Sequence, residues 1–446
     1  MTASAPDDSN LIKNRIRKMN DNYKFETQCL HAGQQPDPAT NARGVAIHRT
    51  SSYVFNNTEH AANLFALKEL GNIYTRIMNP TQDVLEQRVA ALEGGAAALA
   101  LASGTSAVYY SIINICEAGD EIVSATNLYG GTYTMFDCIL PQLGIRVNFA
   151  DARDPDNFAK AITEKTRGIF IETIGNPVLD FTDISAIAEI AHNHNLPLIV
   201  DATFTTPYLL KSIEYGADIV VNSLTKWMGG HGTGIGGIVV DSGKFNWQDP
   251  KFKLLNEPDR SYHDIRYAHD LGDMNPIAFI LRMRLVPLRN LGACISPDNA
   301  WMFLQGLETL PLRMQRHCEN ASAVARFLKK HPKVEWVRYP GLEDDPTYPV
   351  ASKYLKNGFG GMVVFGIKGG LDAGQKFVDS LKLFSLLANV GDAKSLVIHP
   401  ASTTHSQLSE EQQKAGGLTP DLVRLSIGLE HIDDIKQDLE QAFTQT

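Results

Sequence analysis

The sequence predicts an α/β protein, a layered and mostly parallel sheet followed by a smaller α+β unit. Three observations carry this expectation. From Thr81 onward, short apolar runs alternate with stretches of helical spacing, the pattern of strands joined by crossover helices. Several runs, such as Leu196–Val200 and Ile219–Val221, are apolar on both faces, as strands buried in a parallel sheet must be. Two charged residues, Asp201 and Lys226, fall just after such runs, where open α/β sheets build their sites.

The elements follow in order. Residues 1–75 are weakly periodic and read as an extended arm with little core of its own. Thr81–Leu92 sets Val84, Leu85, Val89 and Leu92 at helical spacing, with Thr81 as the expected N-cap. Strand Ala97–Ala102, helix Ser106–Cys116, strand Glu121–Ala125, helix Tyr133–Leu140 and strand Arg146–Phe149 come next. Strand Gly168–Glu172, helix Ile184–His192 and strands Leu196–Val200, Ile219–Val221 and Ile235–Val240 complete the sheet of a first unit, 76–295. Its stretch 245–272 is polar, charged and aromatic without a period, too long for a connector and therefore a functional loop or an insertion. A second unit, 296–446, opens on a helical pattern from Asn299 to about Lys330. Strands Val334–Val337 and Gly361–Phe365, helix Ala373–Ser380, strand Leu422–Ser426 and helix Ile432–Phe443 follow it.

Composition removes several function classes. The 446 residues carry 41 Lys and Arg against 50 Asp and Glu, and the one basic run is Lys13–Lys18, so nucleic acid is not an expected partner. Five widely spaced cysteines without a C-x-x-C point to free thiols in a reducing compartment. Apolar stretches fall far short of the roughly 20 residues that span a bilayer, and Met1–Lys24 lacks the apolar segment of a secretory signal. A cytoplasmic location is expected.

Two motifs mislead. Gly232-Thr-Gly-Ile-Gly-Gly237 matches the dinucleotide fingerprint, but it precedes a strand instead of opening a helix, so no N-terminus stands ready for a pyrophosphate. His192 and His194 are two residues apart, do not share a helix face and have no third ligand at a recognisable spacing, so no metal is expected.

What remains is a constellation. Lys226 and Asp201 sit at strand ends, and Ala102-Ser-Gly-Thr-Ser-Ala107 places small residues between a strand and a helix, a turn suited to a phosphate. An amine, a carboxylate and an anion cradle together specify pyridoxal 5'-phosphate better than any other cofactor. Here the sequence resembles a known family. Asp218-Ile-Val-Val-Asn-Ser-Leu-Thr-Lys-Trp-Met-Gly-Gly-His-Gly232 is similar to the lysine signature of the Cys/Met-metabolism pyridoxal-phosphate enzymes, and the resemblance runs from about Thr27 to the C-terminus.

The resemblance implies a fold type I, aminotransferase-like architecture, with a mostly parallel seven-stranded sheet and a smaller C-terminal α+β domain. It makes Lys226 the Schiff-base lysine and proton shuttle, Asp201 the partner of the pyridinium nitrogen and Thr203 a neighbour of the ring. Gly104 and Thr105 match the backbone donors to the phosphate, with hydroxyls from Ser223 and Thr225. Tyr129 matches the aromatic residue that stacks on the ring, and Asn176 the contact of its 3-oxygen. Tyr74 and Arg76 resemble the pair that reaches a neighbouring subunit's phosphate, which implies a homotetramer built as a dimer of dimers. Arg424 matches the clamp on the substrate α-carboxylate, Ser395 a second carboxylate contact and Tyr53 a lining residue of the substrate pocket.

Within the family, three features favour the O-acetylhomoserine sulfhydrylase branch. Gly131 stands where the resembled methionine γ-lyases carry Cys, Asn389 stands where γ-lyases and γ-synthases place Glu, and 245–272 resembles an insertion usual in the sulfhydrylases. The implied reaction replaces the acetate of O-acetylhomoserine by sulfide or methanethiol. Cystathionine γ-synthase or a methionine or cystathionine γ-lyase is the alternative.

Overall fold

The computed structural model describes residues 23–403 and 417–446; Lys13–Lys18 and the start of the arm lie outside the described residues. Seven strands form the large sheet: β1 (Ala97–Leu101), β2 (Glu121–Ala125), β3 (Arg146–Ala150), β4 (Thr166–Glu172), β5 (Leu198–Asp201), β6 (Ile219–Asn222) and β7 (Gly237–Asp241). They lie in the order β1-β7-β6-β5-β4-β2-β3. Strands β3, β2, β4, β5 and β6 are parallel, and β7 runs antiparallel to both β6 and β1. Because β7 returns directly beside β6, the connection 223–236 lies over the carboxyl end of β6 and carries no crossover helix. Lys226 sits in that connection. Every residue of β2, β6 and β7 is buried, as sequences apolar on both faces require.

Five strands form the second sheet: β8 (Val334–Arg338), β9 (Met362–Ile367), β10 (Ser385–Leu386), β11 (Leu396–Ile398) and β12 (Leu422–Ser426), in the order β10-β11-β12-β9-β8. Strands β10 and β11, two and three residues long, are too short to show a period and were not expected. The hydrophobic core changes hands inside one helix, Leu310–Lys329. Met314 and Cys318 belong to the core of the large sheet, whereas Ala321, Val324 and Leu328 belong to that of the second. The boundary expected at residue 296 therefore falls among residues that still pack on the large sheet, including Ala300, Phe303 and Leu307.

Several expectations need correction. The helix expected from Thr81 begins at Pro80, and its cap is Asn79, whose side chain accepts from the Thr81 N–H at 2.9 Å. Pro80 fits the first helical position, where no intrahelical donor is needed. The Thr81 hydroxyl instead donates to the Ala46 carbonyl at 2.7 Å, tying the arm to the helix. The long pattern after Asn299 is two helices, Pro297–Glu308 and Leu310–Lys329, divided next to Pro311. The arm is not wholly extended: it holds helices Phe25–His31, which buries Cys29 in the core, and Thr58–Phe65. Residues 245–272 are packed, with Trp247, Phe252, Leu255, Tyr262 and Tyr267 buried, and the Tyr262 hydroxyl donates to the Phe65 carbonyl at 2.8 Å. Among the described residues no helix is long and apolar enough to cross a membrane.

Candidate active site

At the carboxyl edge of the large sheet, β4 ends in Glu172 and β5 in Asp201, and the strand register pairs the two. Asp201 accepts from the Thr203 N–H at 2.9 Å; burial pushes its carboxyl up, and the hydrogen bonds from Thr203 pull it back. Glu172 is pushed well above the usual carboxylate range by burial and by the charge of Asp201, while its Oε1 accepts from the Tyr129 N–H at 2.7 Å. Two carboxyls this close do not both ionise readily, and the two Thr203 hydrogen bonds favour the charge on Asp201 over Glu172, which has one donor.

Lys226 lies in the connection that follows β6, the strand next to β5. Burial brings its amine down to about 8, with the positive charge of Arg424 as a second cause, and Nζ donates to Asn389 Oδ1. Arg424 lies in β12, hydrogen-bonded on both sides, and is 7% exposed. Its Nη1 donates to Asn176 Oδ1 at 2.9 Å, and burial lowers its guanidinium to about 10. No carboxylate among the described residues pairs with it, and its electrostatic neighbours include Tyr129 and Lys226. This is a buried cation held by a neutral amide.

The third component is a set of uncommitted donors. In the helix Gly104–Ile113 the Ser103 hydroxyl caps the Ser106 N–H at 3.0 Å, and the N–H groups of Gly104 and Thr105 meet no acceptor among the described residues. A Cβ on Gly104 would come within 2.6 Å of Ser223 Cβ, so only glycine lets the two segments meet. The Ser223 N–H donates to Thr203 Oγ1 at 2.8 Å, which closes a ring of contacts back to Asp201. The glycine run that mimicked a dinucleotide site serves the same close approach, for a Cβ on Gly237 would lie 2.1 Å from the Ser103 carbonyl. His192 Nε2 is hydrogen-bonded to Asp218 at 2.9 Å and His194 Nδ1 to the Ile190 carbonyl, far from any joint task.

The remaining residues divide. Tyr129 is 52% exposed, with its ring over Gly131, where a Cβ would sit 2.6 Å from Cε1. Thr225 exchanges hydrogen bonds with the Gly236 backbone, accepting at 3.1 Å and donating at 3.3 Å. The Ser395 hydroxyl donates to Glu430 and accepts from the Gly428 N–H, both at 2.9 Å, and its own N–H goes to Glu430 as well. Tyr53 accepts from Asn79 Nδ2 at 3.1 Å, at the start of the helix Pro80–Glu93. Arg76 lies over the Tyr74 ring at 5.1 Å, with its Nε buried and without a partner among the described residues. Among the described residues no hydrogen bond or ion pair joins Tyr53, Tyr74 or Arg76 to the group around Lys226. Glu172 was missed, although it closes an apolar strand as Asp201 does.

Comparison with known proteins gives a consistent result. The family model for Cys/Met metabolism PLP-dependent enzymes matches residues 26–444. The O-acetyl-L-homoserine sulfhydrylase of Leptospira meyeri is 58% identical over 427 residues, covering 94% of this chain and 97% of that one. The homocysteine synthase of Schizosaccharomyces pombe is 52% identical, with the same coverage. A crystal structure of a putative O-acetylhomoserine (thiol)-lyase from Campylobacter jejuni, containing N'-pyridoxyl-lysine-5'-monophosphate, superposes with a TM-score of 0.91 at 41% identity. It covers 95% of this chain and 100% of its own.

Proposed function

This chain belongs to the Cys/Met metabolism PLP-dependent enzyme family, and from that premise we propose that it is an O-acetyl-L-homoserine sulfhydrylase. It would replace the acetate of O-acetylhomoserine by sulfide or methanethiol to form homocysteine or methionine. The observation that carries this reading is Arg424, a buried guanidinium without a carboxylate partner among the described residues, set beside a lysine amine lowered to about 8. Such a cation suits the α-carboxylate of an amino-acid substrate, which its fork can hold bidentately.

The donor set fits pyridoxal phosphate. The free N–H groups of Gly104 and Thr105, with the Ser223 hydroxyl beside them, would hold the phosphate at a helix N-terminus. Thr225 would add a hydroxyl, Asp201 would face the ring nitrogen with Thr203 beside it, Tyr129 would stack on the ring, and Asn176 would reach its 3-oxygen. When bound, the cofactor supplies an electron sink for negative charge developing at the substrate α-carbon.

The side chains then divide the work. Arg424 orients the substrate by its carboxylate, and Lys226 removes and returns protons next to it. An amine near 8 is neutral often enough at neutral pH to accept a proton and acidic enough to give it back. Glu172, pushed well above the usual carboxylate range by burial and by Asp201, leaves Asp201 favoured to carry the negative charge of the pair. Ser395, committed to Glu430, braces the strand beside Arg424, a role compatible with a backbone contact to the carboxylate only if Glu430 yields. Asn389, a neutral amide, offers no charge to a distal ammonium of the kind cystathionine carries.

Arg76, without a carboxylate partner among the described residues, would complete the phosphate site of a neighbouring subunit together with Tyr74, within a homotetramer. Tyr53 would line the substrate pocket from the same arm. A cytoplasmic setting fits the five free thiols. The test is direct: with O-acetylhomoserine and sulfide the protein should yield homocysteine, faster than with the succinyl or phosphoryl ester, and it should cleave cystathionine poorly. Efficient cystathionine cleavage without sulfide-dependent homocysteine formation would refute the assignment.

A further inference from the structure

Behind the Lys226 turn lies a second buried arginine that neither the sequence reading nor the function proposed above accounts for. Arg313, 5% exposed, donates from Nη1 to the Trp227 carbonyl at 2.7 Å, and from Nη2 to the carbonyls of Met228 at 3.0 Å and Gly306 at 2.6 Å. Its Nε donates to Thr309 Oγ1 at 3.3 Å. No carboxylate among the described residues pairs with it, and the one group drawing its charge is the buried Cys29 thiol. A buried guanidinium without a counter-ion is costly, so what it holds is informative.

It holds the two residues that follow the reactive lysine. Trp227 and Met228 are buried, and their carbonyls accept from no backbone donor among the described residues. Water cannot reach them, so Arg313 is the partner that satisfies both. The surroundings are shaped for this fork. A Cβ on Gly230 would lie 2.0 Å from Arg313 Nη1, and a Cβ on Gly306 would lie 2.7 Å from the Met228 carbonyl. Two glycines thus clear room for one arginine and one turn to meet. His317, one turn further along the same helix, packs edge-on against Trp227 at 4.8 Å.

We infer that Arg313 is a positioning residue for Lys226: by clamping the carbonyls of Trp227 and Met228 it fixes the backbone from which the lysine amine reaches the reacting atoms. The inference rests on Lys226 being the reactive amine, as proposed above. A displacement of about 1 Å in such a group can lower a rate by about a hundredfold without weakening substrate binding. A lysine at this position cannot reproduce the planar fork that spans these carbonyls.

The test compares Arg313→Lys with Arg282→Lys in the holoenzyme. Arg282 is an equally buried arginine, bound to the carbonyl and side chain of Asn114 away from the Lys226 turn. For Arg313→Lys the expected result is a kcat lowered at least about tenfold with KM within about threefold. Amide exchange read by mass spectrometry should also be at least about tenfold faster at Gly229 and Gly230, whose N–H groups close the turn onto Leu224 and Lys226. Arg282→Lys should show neither change. Thr309→Val, which removes only the acceptor of Nε, should give the same kcat-only pattern at a smaller size, and it decides the matter if Arg313→Lys does not fold. Unaltered turn exchange, losses shared between kcat and KM, or the same kcat loss and faster exchange in Arg282→Lys would overturn the inference. Lys226→Ala, assayed alongside, separates the two readings: turnover by that variant would defeat the functional proposal, whereas the exchange result concerns the clamp alone.

Discussion

Replacing Arg424 tests the substrate-carboxylate assignment most sharply, because its environment allows the loss to be sized. Among the described residues the guanidinium has one hydrogen bond, to Asn176, and no anion, so its remaining donors are available to a ligand. A bidentate pair supplies two charge-assisted bonds, each worth about 1.5–3 kcal/mol. Arg424→Lys keeps the charge and loses one bond, about 2 kcal/mol, so kcat/KM should fall about thirtyfold, chiefly through KM. Arg424→Met leaves the substrate carboxylate buried and unpaired, at about 3–5 kcal/mol, a loss on the order of a hundredfold to a few thousandfold. Steady-state kinetics with O-acetylhomoserine measure both. A substrate analogue without the carboxylate then completes a cycle: deleting that group should hurt the wild type and leave Arg424→Met nearly indifferent. If Arg424→Met stays within about threefold of wild type, or if the analogue loses the same factor in both proteins, Arg424 does not hold the carboxylate.

Other outcomes follow from the same geometry. Lys226→Ala should retain cofactor, since the Gly104 and Thr105 donors and Asp201 remain, yet lose exchange of the substrate α-proton with deuterated solvent by at least about a hundredfold; undiminished exchange would assign the proton transfer to another group. Asn389→Asp puts a negative charge against the lysine amine, which raises its pKa above the present value of about 8. The neutral amine then becomes scarcer at a given pH, so the acid limb of the kcat profile should move to higher pH by about one unit, and an unmoved limb would separate Asn389 from the amine. Lys226→Ala and Arg76→Ala subunits, unfolded and refolded together, should form hybrids more active than either parent. Activity equal only to the average, with hybrids shown to form, would mean that Arg76 serves its own chain.

How much of this was legible in the sequence depended on whether the signal was local. Asp201 and Lys226 were readable because each interrupts a run apolar on both faces, and an ionisable group there has few structural uses. Glu172 ends its strand in the same way, but its importance comes from the register that sets it beside Asp201, which one strand alone does not reveal. The reversal of β7 was hidden because strand direction leaves no trace in a five-residue apolar run. Thr81 looked like a cap because threonine commonly is one; the preceding Asn79 and Pro80 make a better start, and Thr81 was free to bind the arm. Arg313 left a faint mark, a charge on the buried stripe of Leu310, Met314, His317 and Ala321, which reads as an irregularity until the carbonyls it serves are in view. The aromatic residues of 245–272 follow neither helical nor strand spacing, so their burial appeared only with the fold.

The helix Leu310–Lys329 pins the two halves of the molecule together. Its first half is built into the core of the large sheet and its second half into the core of the second sheet, and the chain does not break between them. The two bodies therefore cannot draw straight apart to admit a substrate without tearing one half of the helix from its bed.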